Sequence, residues 1–299
     1  MEFTDLPIDK ESQRFKKHLS IKDNYRLIFS GIFGIGKTYF IDKFFNNNVE
    51  EFITIKLNPV NYAVSQNEDI FELIKYDIAF QLFSKNPQFE KVDFKKLFAA
   101  QFYIIENYKS VIKNLAINLT KLDRRIEAIA NSVLSLHNKV QEFKESVQTD
   151  EKKDLEEFLE IFKLKTGTPR EEDSITELIS GLLETLKENN PGHKTVLIID
   201  DLDRIDPGHI FRILNVFSAH LDYYSSLTEE DNKFGFDKII LICDIENIRG
   251  IFSHQYGTHT DFNGYIDKFY SIEICILYKS DVADDMQCVV LSVFHVCHT

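Results

Sequence analysis

Short, continuous apolar runs rich in β-branched residues punctuate the chain at Tyr25 to Ser30, Phe52 to Leu57, Thr195 to Asp200, Lys238 to Cys243 and Ser271 to Leu277. Runs of this length and composition predict buried strands, and the helical stretches between them predict a parallel sheet in an α/β domain. Residues 59 to 194 break the rhythm: the pattern there is helical throughout, which is an insertion of domain size between the second and third strands. Within it Ile105, Tyr108, Ile112, Leu115, Leu119, Leu122, Ile126, Ile129, Val133, Leu136, Val140, Phe143 and Val147 recur at alternating steps of three and four. That is a heptad seam, and it implies a helix of about 65 Å.

The partner of the seam is open. Its flanking positions carry little complementary charge, so a parallel dimer and an intramolecular antiparallel packing both fit. A further helix is predicted from Ser174, where Ser174 and Glu177 form a capping box, to the turn Asn189-Asn190-Pro191-Gly192. Thr166-Gly167-Thr168-Pro169-Arg170 reads as a linker. The expected organisation is therefore a first half-core over residues 1–100, a coiled-coil-like insertion over 101–165, and a second half-core over 166–299.

Composition narrows the class. The chain has 299 residues, 43% of them hydrophobic and 28% charged, as in folded globular proteins. A formal charge of −13 disfavours a broad nucleic-acid or anionic-membrane surface. Cys243, Cys275, Cys288 and Cys297 have neither disulfide-framework nor C-x-x-C spacing, and the His295, Cys297 and His298 cluster fits no usual zinc site. With no secretory pattern at Met1 to Lys10 and no apolar run near the ~20 residues of a membrane span, a cytoplasmic protein is expected.

The first strand runs into Gly31-Ile32-Phe33-Gly34-Ile35-Gly36-Lys37-Thr38, a complete G-x-x-x-x-G-K-[ST] loop followed by the apolar helix Tyr39 to Phe45. Glycines let the backbone wrap a phosphate and turn its N–H groups inward at a helix N-terminus. Lys37 is expected to neutralise the β and γ phosphates, and Thr38 to offer its hydroxyl to Mg²⁺. The third strand ends in Asp200-Asp201, a Walker B pattern in which Asp200 would hold the Mg²⁺ shell and Asp201 would orient the attacking water. Asp203 and Asp206 read instead as turn and cap residues, with Asp206-Pro207 opening the next helix.

Leu197-Ile198-Ile199-Asp200-Asp201-Leu202-Asp203-Arg204 resembles the h-h-h-D-D-L-D-R signature of the KAP group of P-loop NTPases, in the wider STAND-like, additional-strand class. The resemblance extends to Ile55-Lys56-Leu57-Asn58 with Asn61-Tyr62, to Leu241-Ile242-Cys243-Asp244, which is similar to the family's sensor strand and its trailing acid, and to Gly264-Tyr265-Ile266-Asp267-Lys268. It implies a three-layer α/β/α core with a five-stranded parallel sheet in the order 5-1-4-3-2, interrupted by a variable insertion. It implies ATP and Mg²⁺ as ligands, with Gly31, Phe33, Gly34, Ile35, Gly36, Lys37, Thr38, Tyr39 and Asp244 lining the nucleotide, Thr38 and Asp200 on the metal, and Lys37, Asp201 and Arg204 catalytic.

Two departures from the family stand out. A helical lid after the last strand is missing from the pattern, and no obvious arginine finger is present. Arg204, Arg212 and Arg249 are the candidates; Arg204 serves either the phosphates or a structural pairing with Asp201 or Asp203. The resemblance implies a regulatory switch ATPase of the kind found in bacterial defence against phage or plasmids, with a protein partner or self-association through the helical insertion. A nucleotide-dependent scaffold with little hydrolysis is the alternative.

Overall fold

The computed structural model describes residues 9–61, 70–85, 174–218, 234–279 and 288–295. The heptad seam, the linker at 166–170 and the whole of 101–165 lie outside the described residues. Two compact units are distinguished, Met1–Asn58 with Asn190–Thr299, and Pro59–Asn189.

In the first unit, helix α1 (Asp9–Ser20) precedes strand β1 (Arg26–Ser30), and α2 (Lys37–Asn47) follows it. Phe15 and Leu19, one helical turn apart on α1, are fully buried, and Phe40, Ile41, Phe44 and Phe45 on α2 are buried too. These residues join Leu27 and Phe29 of β1 in one apolar cluster. Phe15 meets Phe44 edge to face with centroids 4.8 Å apart, and Phe29 stacks on Phe40 at 5.4 Å. Aromatic pairs of this geometry contribute about 0.5–1.5 kcal/mol each beyond their burial, so the cluster fixes α2, and with it the loop that precedes α2, against β1.

The remaining strands are β2 (Phe52–Leu57), β3 (Lys194–Ile199), β4 (Lys238–Cys243), β5 (Ile272–Lys279) and β6 (Cys288–His295). Their order across the sheet is β2-β3-β4-β1-β5-β6. The first five are parallel and follow the expected order 5-1-4-3-2. The sixth corrects the expected count: among the described residues the sheet has six strands, because the tail returns as β6, antiparallel to β5 with Ile272 opposite His295 and Lys279 opposite Cys288. A parallel sheet ending at β5 would leave that strand's outer N–H and C=O groups bare, and β6 covers them.

Helices α5 (Pro207–Ser218), α6 (Ile245–Tyr256) and α7 (Phe262–Ile266) complete this unit. The step from β1 to β2 crosses the sheet in one direction, while the steps β3 to β4 and β4 to β5 cross it in the other. Right-handed crossovers therefore put α5 and α6 on the face opposite α2, giving the three-layer arrangement. Burial agrees: Ile28, Leu197, Ile199, Ile239 and Leu241, of the strand parity opposite to the α1–α2 cluster, are buried too. Phe252 links this second layer, lying 5.7 Å from Phe211 of α5 and 4.9 Å from Tyr265 of α7, centroid to centroid. As expected, Asp206 caps α5, its Oδ1 accepting from Gly208 N–H at 2.8 Å.

In the second unit α3 (Ile70–Lys85) packs against α4 (Ser174–Asn189), which starts and stops where the sequence predicts. The α3 residues Ile70, Phe71, Ile74, Tyr76 and Ile78 are buried together with Lys75, Asp77 and Gln81, so this helix is enclosed all round. Gln81 Nε2 donates to Asp77 Oδ1 at 2.9 Å. Burial pushes the Asp77 carboxyl up to about 7, against the opposing pull of that hydrogen bond.

Candidate nucleotide-binding site

The site is built where β1 and β3 end. Gly31, directly after β1, donates its N–H to Cys243 O at 3.3 Å. A Cβ at this position would lie 3.2 Å from Ile276 O and 3.1 Å from Ile35 Cγ2, closer than an ordinary van der Waals contact, so a larger residue would have to push the backbone of β5 aside. Gly34 and Gly36 take φ of 81° and 96°, in the left-handed region that glycine enters without steric cost. Gly36 is the N-cap of α2, so the turn delivers the chain into the helix with the first-turn N–H groups and the positive end of the dipole facing the loop.

Lys37, the first residue of α2, is buried, with its Nζ donating to Gly31 O at 2.5 Å and Ile32 O at 3.2 Å. The ammonium is thereby drawn back across the loop from its helical to its strand side. Two carbonyls hold it there, and an anion seated in the loop would offer it stronger, charge-assisted bonds.

Asp200 follows β3 and is 2% exposed. Its carboxylate accepts from Thr38 Oγ1 at 2.9 Å and from the Asp201 N–H at 2.9 Å, and Lys56 Nζ of β2 lies 3.3 Å away. Thr38 and Asp200 are 162 residues apart in sequence and meet here directly. A hydroxyl beside a carboxylate is a hard-oxygen pair of the type that holds Mg²⁺ together with waters and substrate phosphates, so these residues fit the metal the motif implies.

Asp201 has φ 52° and ψ 38°, a left-handed conformation rare for a residue with a Cβ. It starts the 3₁₀ turn Leu202–Arg204, and Arg204 Nη1 returns to its Oδ2 at 3.2 Å. Burial first, then the neighbouring Asp200 charge, raises the Asp201 carboxyl above the ordinary aspartate range, while Arg204 opposes the shift. The Arg204 guanidinium also lies over the Phe33 ring, 4.2 Å from its centroid. Both Walker segments thus contribute to one cluster around Lys37, Thr38, Asp200, Asp201 and Arg204.

The model of the KAP family P-loop domain matches residues 9–281 of this chain. The chain belongs to the KAP family of P-loop NTPases. It carries a nucleotide-binding NTPase domain. Comparison with curated proteins gives no match.

Other residues expected in this KAP site are placed as follows. Ile35 is buried in the α1–α2 cluster, and Tyr39 is largely exposed, its hydroxyl accepting from Lys43 Nζ at 3.3 Å. Asp244 is the N-cap of α6, its carboxylate accepting from the Glu246 and Asn247 N–H groups at 3.1 and 3.4 Å. Arg249 is engaged between α6 and α7, bonded to Glu246 and Asn263 and lying over Phe262. Arg212 lies within α5. Arg204 thus meets a Walker residue directly, in the pairing with Asp201 anticipated as its structural alternative.

Two contributors went unrecognised in the sequence. Lys56 bridges Asp200 and Asp42, the latter at 2.7 Å. Its signal is a lone cation inside the strand Phe52-Ile53-Thr54-Ile55-Lys56-Leu57. Asn247 Nδ2 donates to Asp203 Oδ2 at 3.0 Å and ties the first turn of α6 to the acidic 3₁₀ turn. No helix among the described residues is long and apolar enough to cross a membrane.

Proposed function

We propose that this KAP domain binds ATP with Mg²⁺ and hydrolyses it, acting as a switch whose state is passed to a partner protein or to a second copy through the helical segment between its two Walker motifs. The observation that carries the reading is the contact of Thr38 with Asp200, which joins the two motifs at the end of a loop already crossed by the Lys37 ammonium. Thr38 and Asp200 would hold the Mg²⁺, which would supply positive charge against the phosphates.

The protein's own residues supply the remainder. Lys37 exchanges its two carbonyl acceptors for phosphate oxygens, and the Gly34 and Gly36 turns keep backbone N–H groups aimed at the same charge. Asp201, one residue beyond the metal-holding acid, orients the attacking water, and its left-handed backbone turns it out of the line of β3. Arg204 meets the negative charge that builds on the transferred group. Regulation of an effector carried elsewhere, as in the defence systems the resemblance suggests, belongs to the same proposal.

The test is nucleotide binding and phosphate release with ATP and Mg²⁺ at several protein concentrations, for wild type, Lys37→Ala and Asp201→Asn. Turnover that is lost in both variants supports hydrolysis, and a specific rate that climbs with protein concentration supports completion of the site by self-association. ATP binding that needs Lys37 but yields no phosphate at any concentration would replace the proposal with a nucleotide-gated scaffold.

A further inference from the structure

Phe33 is the third residue of the phosphate loop and is 76% exposed, beside Ile32 at 61%. An apolar ring standing in water on a loop that must close around phosphates is unfavourable in itself unless a neighbour covers part of it. Over its face, 4.2 Å from the centroid, lies the guanidinium of Arg204. The same guanidinium is bonded through Nη1 to Asp201.

Those two contacts come from opposite sides of the site. Phe33 belongs to the loop after β1, and Asp201 to the acidic end of β3. The backbone that carries Arg204 is fixed separately, because Asn247 of α6 holds Asp203 of the same 3₁₀ turn by both its carboxylate and its carbonyl, at 3.0 and 3.4 Å. With its main chain anchored, Arg204 still has a long and rotatable side chain, and its head is partly in solvent. A flat cation stacked on a ring face loses translational freedom normal to the ring yet keeps its edge N–H groups available as donors. A carboxylate alone would not do this, since it occupies those donors.

We infer that Phe33 is a positioning residue for Arg204: its ring holds the guanidinium between the two Walker segments, ready to act on bound nucleotide. The inference deepens the hydrolytic reading above and rests on it. A phosphate-loop side chain is thus given a task that the loop motif, which specifies only glycines, lysine and a hydroxyl, leaves open.

An exposed cation–π contact changes the population of one side-chain arrangement by about two- to fivefold. Phe33→Leu keeps an apolar side chain but removes the quadrupole, whereas Phe33→Tyr keeps the ring face. The experiment is a double-mutant cycle: kcat and KM for ATP with wild type, Phe33→Leu, Phe33→Tyr, Arg204→Ala and the double variant Phe33→Leu/Arg204→Ala. The expected result is a fall in kcat of about two- to fivefold in Phe33→Leu with KM unchanged, recovery of the loss in Phe33→Tyr, and no effect of Phe33→Leu once Arg204 is alanine.

An equal effect of Phe33→Leu in both backgrounds, no effect in either, a gain in kcat, or a change confined to KM would overturn the assignment. If wild type binds ATP without turnover, the cycle is read on the ratio of ATP to ADP affinity, to which an arginine reaching the terminal phosphate contributes. Non-additivity there upholds Phe33 while the hydrolytic reading fails, and additivity removes both. A wild type that binds no nucleotide removes the inference together with the site.

Discussion

Lys56 offers a quantitative check on the charge balance of the site. Replacing it with methionine keeps most of the side-chain volume but strands the Asp200 carboxylate, which is 2% exposed. At 3.3 Å and an effective dielectric constant of about 20, the Lys56–Asp200 attraction is ~5 kcal/mol before desolvation is counted. Removing one partner of a buried pair typically costs about 3–5 kcal/mol, whereas an exposed pair contributes about 1 kcal/mol or less.

The Lys56 side chain is only 13% exposed, so its pairing with Asp200 belongs to the buried class, while Asp42 at 47% belongs to the exposed one. Thr38 and the Asp201 N–H still hold the carboxylate in the variant, which places the expected loss near the lower limit, ~3 kcal/mol. Urea unfolding followed at several wavelengths, in metal-free buffer at pH 7, measures it. Lys56→Met/Asp200→Asn should recover most of the loss, because no uncompensated charge is left in the double variant. A cost below about 1 kcal/mol in Lys56→Met, or a double variant no better than the single one, would show that the charge of Asp200 is balanced by other means.

Other expectations follow from the packing. Gly31→Ala forces a Cβ against Ile276 O and should destabilise the fold by about 1–3 kcal/mol and weaken nucleotide binding, both seen in a thermal-shift titration with ATP; an unchanged melting curve would contradict the close approach. Asp244→Ala should cost about 1 kcal/mol through loss of the α6 cap, measured by chemical denaturation, and Asp244→Asn should cost less. Asp77, pushed up to about 7 by burial, binds a proton in the folded state that the unfolded chain has already released. Its contribution is therefore complete below pH ~4 and lost as pH rises through about 7, a fall of order 4 kcal/mol that Asp77→Asn should flatten; parallel stability profiles for wild type and variant would refute it.

Much of the architecture is legible in the chain because β1, β3 and β4 are buried on both faces and read as continuous apolar runs, while β2 and β5 keep enough buried Ile, Leu and Phe to be read as strands. The strand order then came through resemblance, since no local pattern distinguishes β1 at the centre from β2 at the edge. The phosphate loop is equally plain, because left-handed turns at Gly34 and Gly36 and a close backbone approach at Gly31 favour glycine.

What escaped was local in signal or distant in cause. Helix α1 is marked by little more than Phe15 and Leu19 among charged residues, and β6 was passed over although Val289-Val290-Leu291 is an apolar run of strand type. Lys56 stands in the open within β2, but the carboxylate that explains it arrives from the far side of the insertion. Asp244 resembled a sensor acid, and Asp244-Ile245-Glu246-Asn247 also carries the spacing of a helix cap, which is the role visible in its hydrogen bonds.

The central place of β1 has a consequence for how the molecule comes into being. Ser30 accepts from Ile245 across 215 residues, and Ser271 bonds to Arg26 across 245. During synthesis the strand that bears the phosphate loop leaves the ribosome well before either of its neighbours, since β1 ends at Ser30 while β4 begins at Lys238 and β5 at Ile272. Pairings of such long sequence separation form slowly and leave apolar segments waiting. The loop that ends β1 therefore lacks both flanking strands until β4 and β5 have been made.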